Sequence, residues 1–186
     1  MALLTRPEYE ERLRGLRLLV CDVDGVLTDG SIAYLGADCE GKAFHVRDGS
    51  AMHIARLIGL PIVIVTARSS AAVARRFSEL PVLEVRQGTF DKLSVCLEVE
   101  GRLGISPDAV AYLGDDLVDL PALRHAGLGI VVGDAHPRLL AEADWRTEHR
   151  GGRGALREVI DDVVGARDLW PSVLADYAKR QGSGAP

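Results

Sequence analysis

The sequence predicts an α/β protein with a doubly wound parallel sheet and helices on both faces. Short apolar runs rich in Val, Ile and Leu alternate along the chain with segments of helix length. Strands that are buried on both faces are apolar throughout, and parallel neighbours need crossover helices between them. A length of 186 residues, with 47% apolar and 26% charged side chains, suits one domain with a full core. The expected architecture is therefore Rossmann-like.

The elements follow from these runs. The predicted strands cover residues 16–21, 61–65, 82–85, 110–113, 128–132 and, more weakly, 144–147. The predicted helices cover residues 50–60, 69–80, 91–103, 117–126, 137–143 and 154–169. Asp48 and Ser69 stand where helix N-caps are expected, because their side chains can accept a hydrogen bond from the first turn.

One segment interrupts the alternation directly after the first strand. Residues 31–34 and 43–47 are extended candidates on either side of the turn-rich stretch 36–41, and they predict an inserted β-hairpin over about residues 31–47. A lone two-stranded ribbon is marginal in water, so we expect it to pack against a partner. The domain is expected to span residues 16–169, with an N-terminal extension at 1–15 and a partly disordered tail at 170–186.

The composition excludes several classes of protein. There are 27 acidic and 22 basic side chains, and this net charge of −5 argues against a nucleic-acid partner. The longest apolar stretches, such as 60–65, are too short to cross a bilayer. Three widely spaced cysteines fit reduced thiols. We therefore expect a cytoplasmic protein without a membrane partner.

Two carboxylates follow the first predicted strand. Asp22 and Asp24 point to the same side because a strand alternates its faces. Two unit charges about 4 Å apart repel by roughly 4 kcal/mol at an effective dielectric constant near 20. A divalent cation is the simplest way to offset this repulsion. The pair therefore predicts a metal-dependent site in which an aspartate is a nucleophile or a ligand.

Polar residues follow three further strands. Thr66 ends the second strand, Lys92 lies beyond the third, and Asp115 ends the fourth within a Gly-Asp-Asp-x-x-Asp motif. Ligands of open parallel sheets bind outside the carboxyl ends of the strands. Thr66 or Asp116 alone could be a helix cap. Four strand ends that carry such residues together predict one catalytic site.

These motifs resemble those of the haloacid dehalogenase superfamily. The resemblance rests on Asp-x-Asp-Gly-Val-Leu-Thr-Asp-Gly at 22–30, Thr66, Lys92 and the acidic motif at 114–119. Within the superfamily, the stretches 44–49, 87–88, 134–137 and 151–155 resemble the branch of 3-deoxy-D-manno-octulosonate 8-phosphate phosphatases. The resemblance runs from about residue 16 to about residue 165.

The resemblance implies a phosphatase that works through a covalent intermediate. Asp22 would attack phosphorus, because a phosphate monoester resists direct attack by water. Asp24 would protonate the leaving sugar oxygen and later take a proton from water. Dehalogenases have no oxygen leaving group to protonate, so Asp24 favours a phosphatase. Thr66 and Lys92 would hold the phosphate oxygens.

The resemblance also implies Mg²⁺ as the cofactor. Its ligands would be Asp22, the backbone carbonyl of Asp24 and Asp115. Asp116 and Asp119 would orient the metal-bound waters and Lys92, although Asp119 could also be a helix cap.

A phosphorylated 2-keto sugar acid, similar to 3-deoxy-D-manno-octulosonate 8-phosphate, is the implied substrate. Arg47, Arg68 and Arg153 are the candidates to receive its carboxylate, since a guanidinium binds a carboxylate through two hydrogen bonds. Asp48 and Gly49 are further substrate-binding candidates, because they share a motif with Arg47.

The short gap between Asp22 and Thr66 leaves no room for a large cap domain, and the hairpin takes its place. The resemblance implies a homotetramer whose hairpins form a barrel and whose neighbours complete each active site. The chain has Ala67 where the branch usually has Gly, and Ser50-Ala51 where it has Tyr-Gly. The same chemistry on a nonulosonate 9-phosphate or another sugar phosphate therefore stays open. A non-catalytic domain associated with sugar-acid cytidylyltransferases is a further alternative.

Overall fold

The computed structural model describes residues 3–36 and 39–182. Its strands are β1 (Leu18–Cys21), β2 (Ala33–Gly36), β3 (Cys39–Gly41), β4 (Ile62–Val65), β5 (Glu84–Arg86), β6 (Val110–Gly114), β7 (Leu128–Val131) and β8 (Trp145–Arg146). Its α-helices are α1 (Arg6–Gly15), α2 (Val46–Leu57), α3 (Ala71–Ser78), α4 (Lys92–Leu103), α5 (Leu120–His125), α6 (Pro137–Leu140), α7 (Ala155–Ala166) and α8 (Trp170–Gly182).

The main sheet has six parallel strands in the order β5-β4-β1-β6-β7-β8. The strand β1 lies in the middle, and Cys21 at its end is level with Ile64 of β4 and Leu113 of β6. The chain winds outwards from β1 in both directions, so the strand order reverses beside it. Such a reversal opens a crevice at the carboxyl ends of the strands. The predicted doubly wound α/β fold is confirmed.

Side chains of the sheet alternate between two apolar layers. Leu19 and Cys21 contribute to the larger layer, which α1, α2, α3, α7 and α8 cover. Leu18 and Val20 face the other layer, which α4, α5 and α6 cover. The central strands β1, β4, β6 and β7 are buried along their whole length. This two-sided burial holds the strand ends rigidly.

The stretch predicted as an N-terminal extension contains the helix α1. Thr5 and Glu8 form a capping box at its start, with the Thr5 N–H donating to Glu8 Oε2 at 2.8 Å. Tyr9 and Leu13 are fully buried, and the Tyr9 ring stacks on Trp145 with centroids 4.1 Å apart. The predicted tail contains α8, and Val173 anchors this helix in the larger layer. The end of that tail, residues 183–186, lies outside the described residues.

The predicted hairpin is present, but its second strand is shifted. β3 replaces the predicted strand at 43–47, and residues 42–45 connect it to α2 without regular structure. The predicted turn includes residues 37–38, which lie outside the described residues. On β2, Tyr34 and Leu35 are 76% and 71% exposed. The hairpin therefore presents two large apolar side chains to its surroundings.

The helix α2 begins four residues earlier than predicted. Its N-cap is His45, so the prediction that Asp48 caps a helix at 50 is wrong. Gly49 lies in the first turn, where an added Cβ would come within 2.4 Å of Arg76 Nη2. Glycine is a poor helix former and indicated a turn, but here it lies inside the helix, beside the Arg76 side chain of α3.

Within the described residues, every helix is too short or too polar to span a membrane.

Candidate active site

Three adjacent strand ends bring the predicted catalytic residues together. Asp22 follows β1, Thr66 follows β4 and Asp115 follows β6. Lys92 is the first residue of α4, after β5. Asp22, Thr66 and Lys92 are almost fully buried, with 3%, 1% and 2% exposure. Polar groups buried to this extent need partners. Asp22 and Lys92 pair with each other, and the Thr66 hydroxyl donates to Asp24.

Lys92 binds two of the carboxylates. Its Nζ lies 3.0 Å from Asp22 Oδ1 and 2.6 Å from Asp119 Oδ1. Burial opposes the charged ammonium, but the charges of Asp22 and Asp119 outweigh it, so the pKa of Lys92 is raised. The carboxylates that bind Lys92 are Asp22 and Asp119, not Asp116, whose role towards metal-bound waters stays a prediction. Asp116 Oδ1 instead accepts from the N–H of Leu117 at 2.7 Å and caps the turn that follows β6.

Asp119 is fully buried and holds its neighbours in place. Besides Lys92, the Tyr112 hydroxyl donates to its Oδ1 at 2.6 Å. Its Oδ2 accepts from the N–H of Asp115 at 3.0 Å. Asp119 therefore orients Lys92 and the backbone of Asp115. The role of Tyr112 could not be predicted from the sequence, because a tyrosine inside an apolar strand is typical of a core.

Asp22, Asp115 and Asp119 form a cluster that could hold a metal ion. Each offers a carboxylate oxygen, and these oxygens lie within 4.8 Å of one another. The three carboxylates face the single ammonium of Lys92, which leaves two negative charges uncompensated. Asp115 Oδ1 is buried and lacks a hydrogen-bond partner among the described residues. A divalent cation would satisfy both the charge and this oxygen.

The electrostatics of the cluster support the same conclusion. Burial, followed by repulsion from Asp119, raises the pKa of Asp22 to about 7. Burial, followed by repulsion from Asp22 and Asp119, raises the pKa of Asp115 to about 8. Both carboxyl groups are thus held partly protonated near neutral pH until a cation favours their charged forms. Since Asp119 already accepts from four donors, Asp22 and Asp115 are the better candidates for direct ligands.

The loop after β1 is shaped by contacts that only glycine permits. Gly25 has φ of +89°, and an added Cβ would lie 2.0 Å from Asp115 Oδ2. The turn at 151–154 packs against this loop from α7, where a Cβ on Gly151 would lie 1.7 Å from the Gly25 carbonyl oxygen. Asp134 Oδ1 accepts from the N–H of Gly151 at 2.9 Å and fixes that turn. These contacts hold the loop that carries Asp22 and Asp24.

Asp24 lies apart from the three-carboxylate cluster. Its Oδ1 forms an ion pair with Lys42, and its Oδ2 accepts from the Thr66 hydroxyl at 3.3 Å. The Asp24 carboxylate is thus compensated by a lysine, whereas the sequence predicted that a metal ion offsets it. Lys42 comes from the connection after β3, and no motif in the sequence marked it. The one feature of the sequence that distinguishes Lys42 is the rarity of lysine, which occurs only at positions 42, 92 and 179.

The arginine candidates differ in their surroundings. Arg68 is occupied, with Nη2 2.8 Å from Glu40 Oε2. Arg47 and Arg153 line one cavity of about 200 Å³ together with His149. Arg153 belongs to the turn 151–154, which packs on the Asp22–Asp24 loop. The cavity is also lined by Arg157, Glu158, Asp161 and Asp162, so it carries charges of both signs. Arg47 and Arg153 therefore lie together, whereas Arg68 lies beside the hairpin and binds Glu40 of β3.

Asp48 and Gly49 are both buried inside the protein. Asp48 is 2% exposed, and its Oδ1 accepts from the N–H of Arg157 at 2.9 Å, in the first turn of α7. This carboxylate serves the helix as a cap, since the N-cap residue Gly154 has no side chain. Burial raises the pKa of Asp48, although this hydrogen bond opposes the shift. Gly49 packs on α3, so both residues contact neighbouring helices inside the fold.

Comparison with known proteins identifies the class. The haloacid dehalogenase-like hydrolase family matches residues 76–158. The 3-deoxy-D-manno-octulosonate 8-phosphate phosphatase KdsC of Yersinia pestis is 42% identical over 159 residues, which cover 85% of this chain and 84% of that protein. Its counterpart in Escherichia coli K12 is 43% identical over 151 residues, covering 81% and 80%.

A solved structure agrees with these sequence matches. The 3-deoxy-D-manno-octulosonate 8-phosphate phosphatase of Moraxella catarrhalis, in complex with magnesium, phosphate and KDO, superposes with a TM-score of 0.87. It is 38% identical, and the alignment covers 91% of this chain and 98% of that one. The chain therefore belongs to the haloacid dehalogenase-like hydrolases, in the group of the 3-deoxy-D-manno-octulosonate 8-phosphate phosphatases. It is an enzyme, and its activity is that of a phosphatase.

Proposed function

We propose that the protein is a Mg²⁺-dependent phosphatase of 3-deoxy-D-manno-octulosonate 8-phosphate that works through an aspartyl phosphate on Asp22. One observation carries the proposal: Asp22 is buried at the crevice of the sheet, 3.0 Å from Lys92 and beside Asp115. The similarity to phosphatases of this substrate, one of them bound to magnesium and KDO, supports the same choice.

The residues have distinct duties in the first half of the reaction. An oxygen of the Asp22 carboxylate bonds to phosphorus, and the bond from phosphorus to the sugar oxygen breaks. The electron pair of that bond stays on the sugar oxygen, which takes a proton from Asp24. The Thr66 hydroxyl and the Lys92 ammonium donate to the phosphate oxygens as negative charge develops there.

The second half returns the enzyme to its starting state. Water attacks phosphorus, Asp24 accepts a proton from that water, and the Asp22 carboxylate leaves. Asp22, Asp115 and the backbone carbonyl of Asp24 would hold Mg²⁺, which when bound neutralises charge on the phosphate and on the carboxylates. Asp119 keeps Lys92 aligned throughout, because it is fully buried and binds Lys92 Nζ at 2.6 Å.

The substrate carboxylate binds, in this proposal, to Arg47 and Arg153. These guanidinium groups share a cavity and are exposed, and no hydrogen bond or ion pair engages them within the described residues. A guanidinium presents two parallel donors that match a carboxylate. We assign Arg68 a lesser role, since Glu40 already engages it.

We further propose that the enzyme works in the cytoplasm as a homotetramer with shared active sites. The exposed Tyr34 and Leu35 on the hairpin support an association, because large apolar groups exposed to water favour a partner surface. The buried free thiols of Cys21 and Cys96 fit a reducing compartment.

A substrate panel tests this function. Phosphate release is measured with Mg²⁺ on 3-deoxy-D-manno-octulosonate 8-phosphate, a nonulosonate 9-phosphate and simple hexose phosphates. We expect the first compound to have the highest kcat/KM, and the Arg47→Ala and Arg153→Ala variants to lose this preference. A higher kcat/KM on the nonulosonate 9-phosphate would contradict the proposed substrate. The absence of phosphate release from every compound would favour a non-catalytic domain.

A further inference from the structure

The contacts of Asp24 single out a residue outside the predicted site. Lys42 follows β3 directly, and its side chain is 0% exposed although it carries a charge. Its ammonium lies between two carboxylates, in an ion pair with Asp24 Oδ1 and 3.5 Å from Glu40 Oε1. An enclosed ammonium is costly to the fold unless carboxylates pair with it, and Lys42 has two such partners.

The two buried lysines have separate partners. Lys92 pairs with Asp22 and Asp119, and Lys42 pairs with Asp24 and Glu40. The nucleophile and the acid of the proposed reaction thus each have their own ammonium group.

The choice of lysine at position 42 is itself informative. Of the 22 basic residues, lysine occurs at only three positions, and the third, Lys179, is an exposed residue of α8. A lysine ammonium is a compact point charge on a flexible stem, so it can approach two carboxylates at once.

We propose that Lys42 is a positioning residue that holds the Asp24 carboxyl group in the orientation required for proton transfer, a role that rests on the proposed function. In the protein without substrate, Lys42 binds one oxygen of Asp24 and the Thr66 hydroxyl donates to the other. Once that hydroxyl donates to the phosphate instead, Lys42 is the contact that keeps Asp24 in place. A carboxylate offers about four acceptor sites, so each oxygen keeps a direction for the sugar oxygen or the water. The proton passes from Asp24 to the leaving oxygen in the first step, and from water to Asp24 in the second.

The Glu40 carboxylate connects Lys42 to Arg68. Its Oε2 binds Arg68 at 2.8 Å, while its Oε1 is buried and faces Lys42. Hydrogen bonding from Arg68 is the main cause that lowers the pKa of Glu40, so this residue stays charged. The chain of contacts from Arg68 through Glu40 and Lys42 to Asp24 connects the hairpin to the proposed acid.

A double-mutant cycle tests the proposal. The variants are Lys42→Met, Asp24→Asn and the pair, with Lys179→Met as the matched control, all assayed on 3-deoxy-D-manno-octulosonate 8-phosphate. Acid–base catalysis contributes about 10²- to 10⁴-fold. We expect Lys42→Met to lower kcat by about 10- to 100-fold with KM changed less than about threefold, because it misplaces the acid without removing it. In the Asp24→Asn background, Lys42→Met should cause no further loss.

Three results would overturn the proposal. One is an unchanged kcat in Lys42→Met, and another is a rise in KM alone, which would make Lys42 a substrate contact. The third is a loss that multiplies fully with that of Asp24→Asn. Thermal unfolding of each variant reports on folding, and Lys42→Gln replaces Lys42→Met in the cycle if the latter does not fold. If the wild type releases phosphate and Asp22→Asn does not, the proposed function stands whatever Lys42 does.

Discussion

Asp22 and Asp115 are the residues whose charges dominate the site. Both lie in surroundings that disfavour negative charge. Burial and repulsion from Asp119 raise the pKa of Asp22, and burial and repulsion from Asp22 and Asp119 raise that of Asp115. Lys92 compensates only part of this charge, because Asp119 shares it. The folded protein therefore binds more protons than the unfolded chain until a cation is present.

This difference predicts how stability depends on pH. Carboxyl groups in the unfolded chain titrate near pH 4, whereas the pKa is about 7 for Asp22 and about 8 for Asp115 in the fold. The stability contributed by these protons is full below about pH 4 and is lost as the pH rises to about 8. In metal-free protein, this contribution to the free energy of unfolding should fall over that range.

Magnesium should reverse the loss. Because it interacts with the ionised carboxylates, Mg²⁺ should raise the thermal unfolding temperature more at about pH 8 than at about pH 5.5. Asp115→Asn should largely abolish the difference, while Asp108→Asn, on an ordinary surface turn, should keep it. An equal Mg²⁺ effect at both pH values would contradict the assignment of the metal site.

Residues that follow strands could be predicted from the sequence, and residues placed by tertiary contacts could not. Asp22, Thr66 and Asp115 come directly after apolar runs, so the parallel sheet alone brings them together. Lys42 has no such marker, because the path of residues 42–45 depends on the docking of the hairpin. Asp48 was misassigned for a similar reason, since its partner on α7 is more than a hundred residues away.

Among the elements, the turn at 151–154 leaves the least room for an added side chain. Gly151 approaches the backbone of the Asp22–Asp24 loop so closely that a methyl group would overlap the Gly25 carbonyl. The backbone of this loop cannot move aside as a side chain could. The turn therefore fixes the position of the catalytic loop relative to the sheet.

Gly151→Ala should consequently damage both stability and catalysis. Overpacking of this kind costs about 1–3 kcal/mol, and the displaced loop should lower kcat as well. Gly101→Ala in α4 is the matched control, since its Cβ would meet nothing within 4 Å. That change should stabilise the protein by about 0.5–1 kcal/mol because alanine favours a helix. Denaturant unfolding and phosphate release measure both effects, and equal stability in the two variants would contradict the role of the turn.

Element boundaries show where sequence patterns are informative. The helix α4 and the strand β6 were predicted within one residue of each end, because Asp91, Gly104 and Gly114 mark their limits. The helix α1 was missed, since its polar sequence has only Tyr9 and Leu13 to bury. The start of α2 was misplaced because Gly49 indicates a turn unless its packing on α3 is known.

On the scale of the whole molecule, the hairpin is the part whose large apolar side chains stay exposed in a single chain. All four residues of β2 are exposed, and Tyr34 and Leu35 are the largest of them. The sequence predicted the sheet and its layers, because apolar runs and crossover helices permit few arrangements. It could not specify an assembly, since complementarity between subunits depends on surface shape.

Association through the hairpin can be measured directly. The Tyr34→Ser and Leu35→Ser double variant should shift the mass seen by light scattering from a tetramer towards smaller species, because it removes the apolar contact. Its activity should fall in parallel if neighbours complete the active site. Leu97→Ser, which alters an exposed leucine on α4, should leave the mass unchanged. A wild-type monomer at working concentration would contradict the shared-site proposal.

The covalent bond between Asp22 and phosphorus is the claim on which the chemistry depends. Mass spectrometry of enzyme that is mixed with substrate and Mg²⁺ and then quenched in acid tests it most directly. We expect a phosphoryl group on the peptide that contains Asp22, and its absence from Asp22→Asn protein, which should fold but release no phosphate. An unmodified Asp22 peptide during rapid turnover, or full activity in Asp22→Asn, would contradict it.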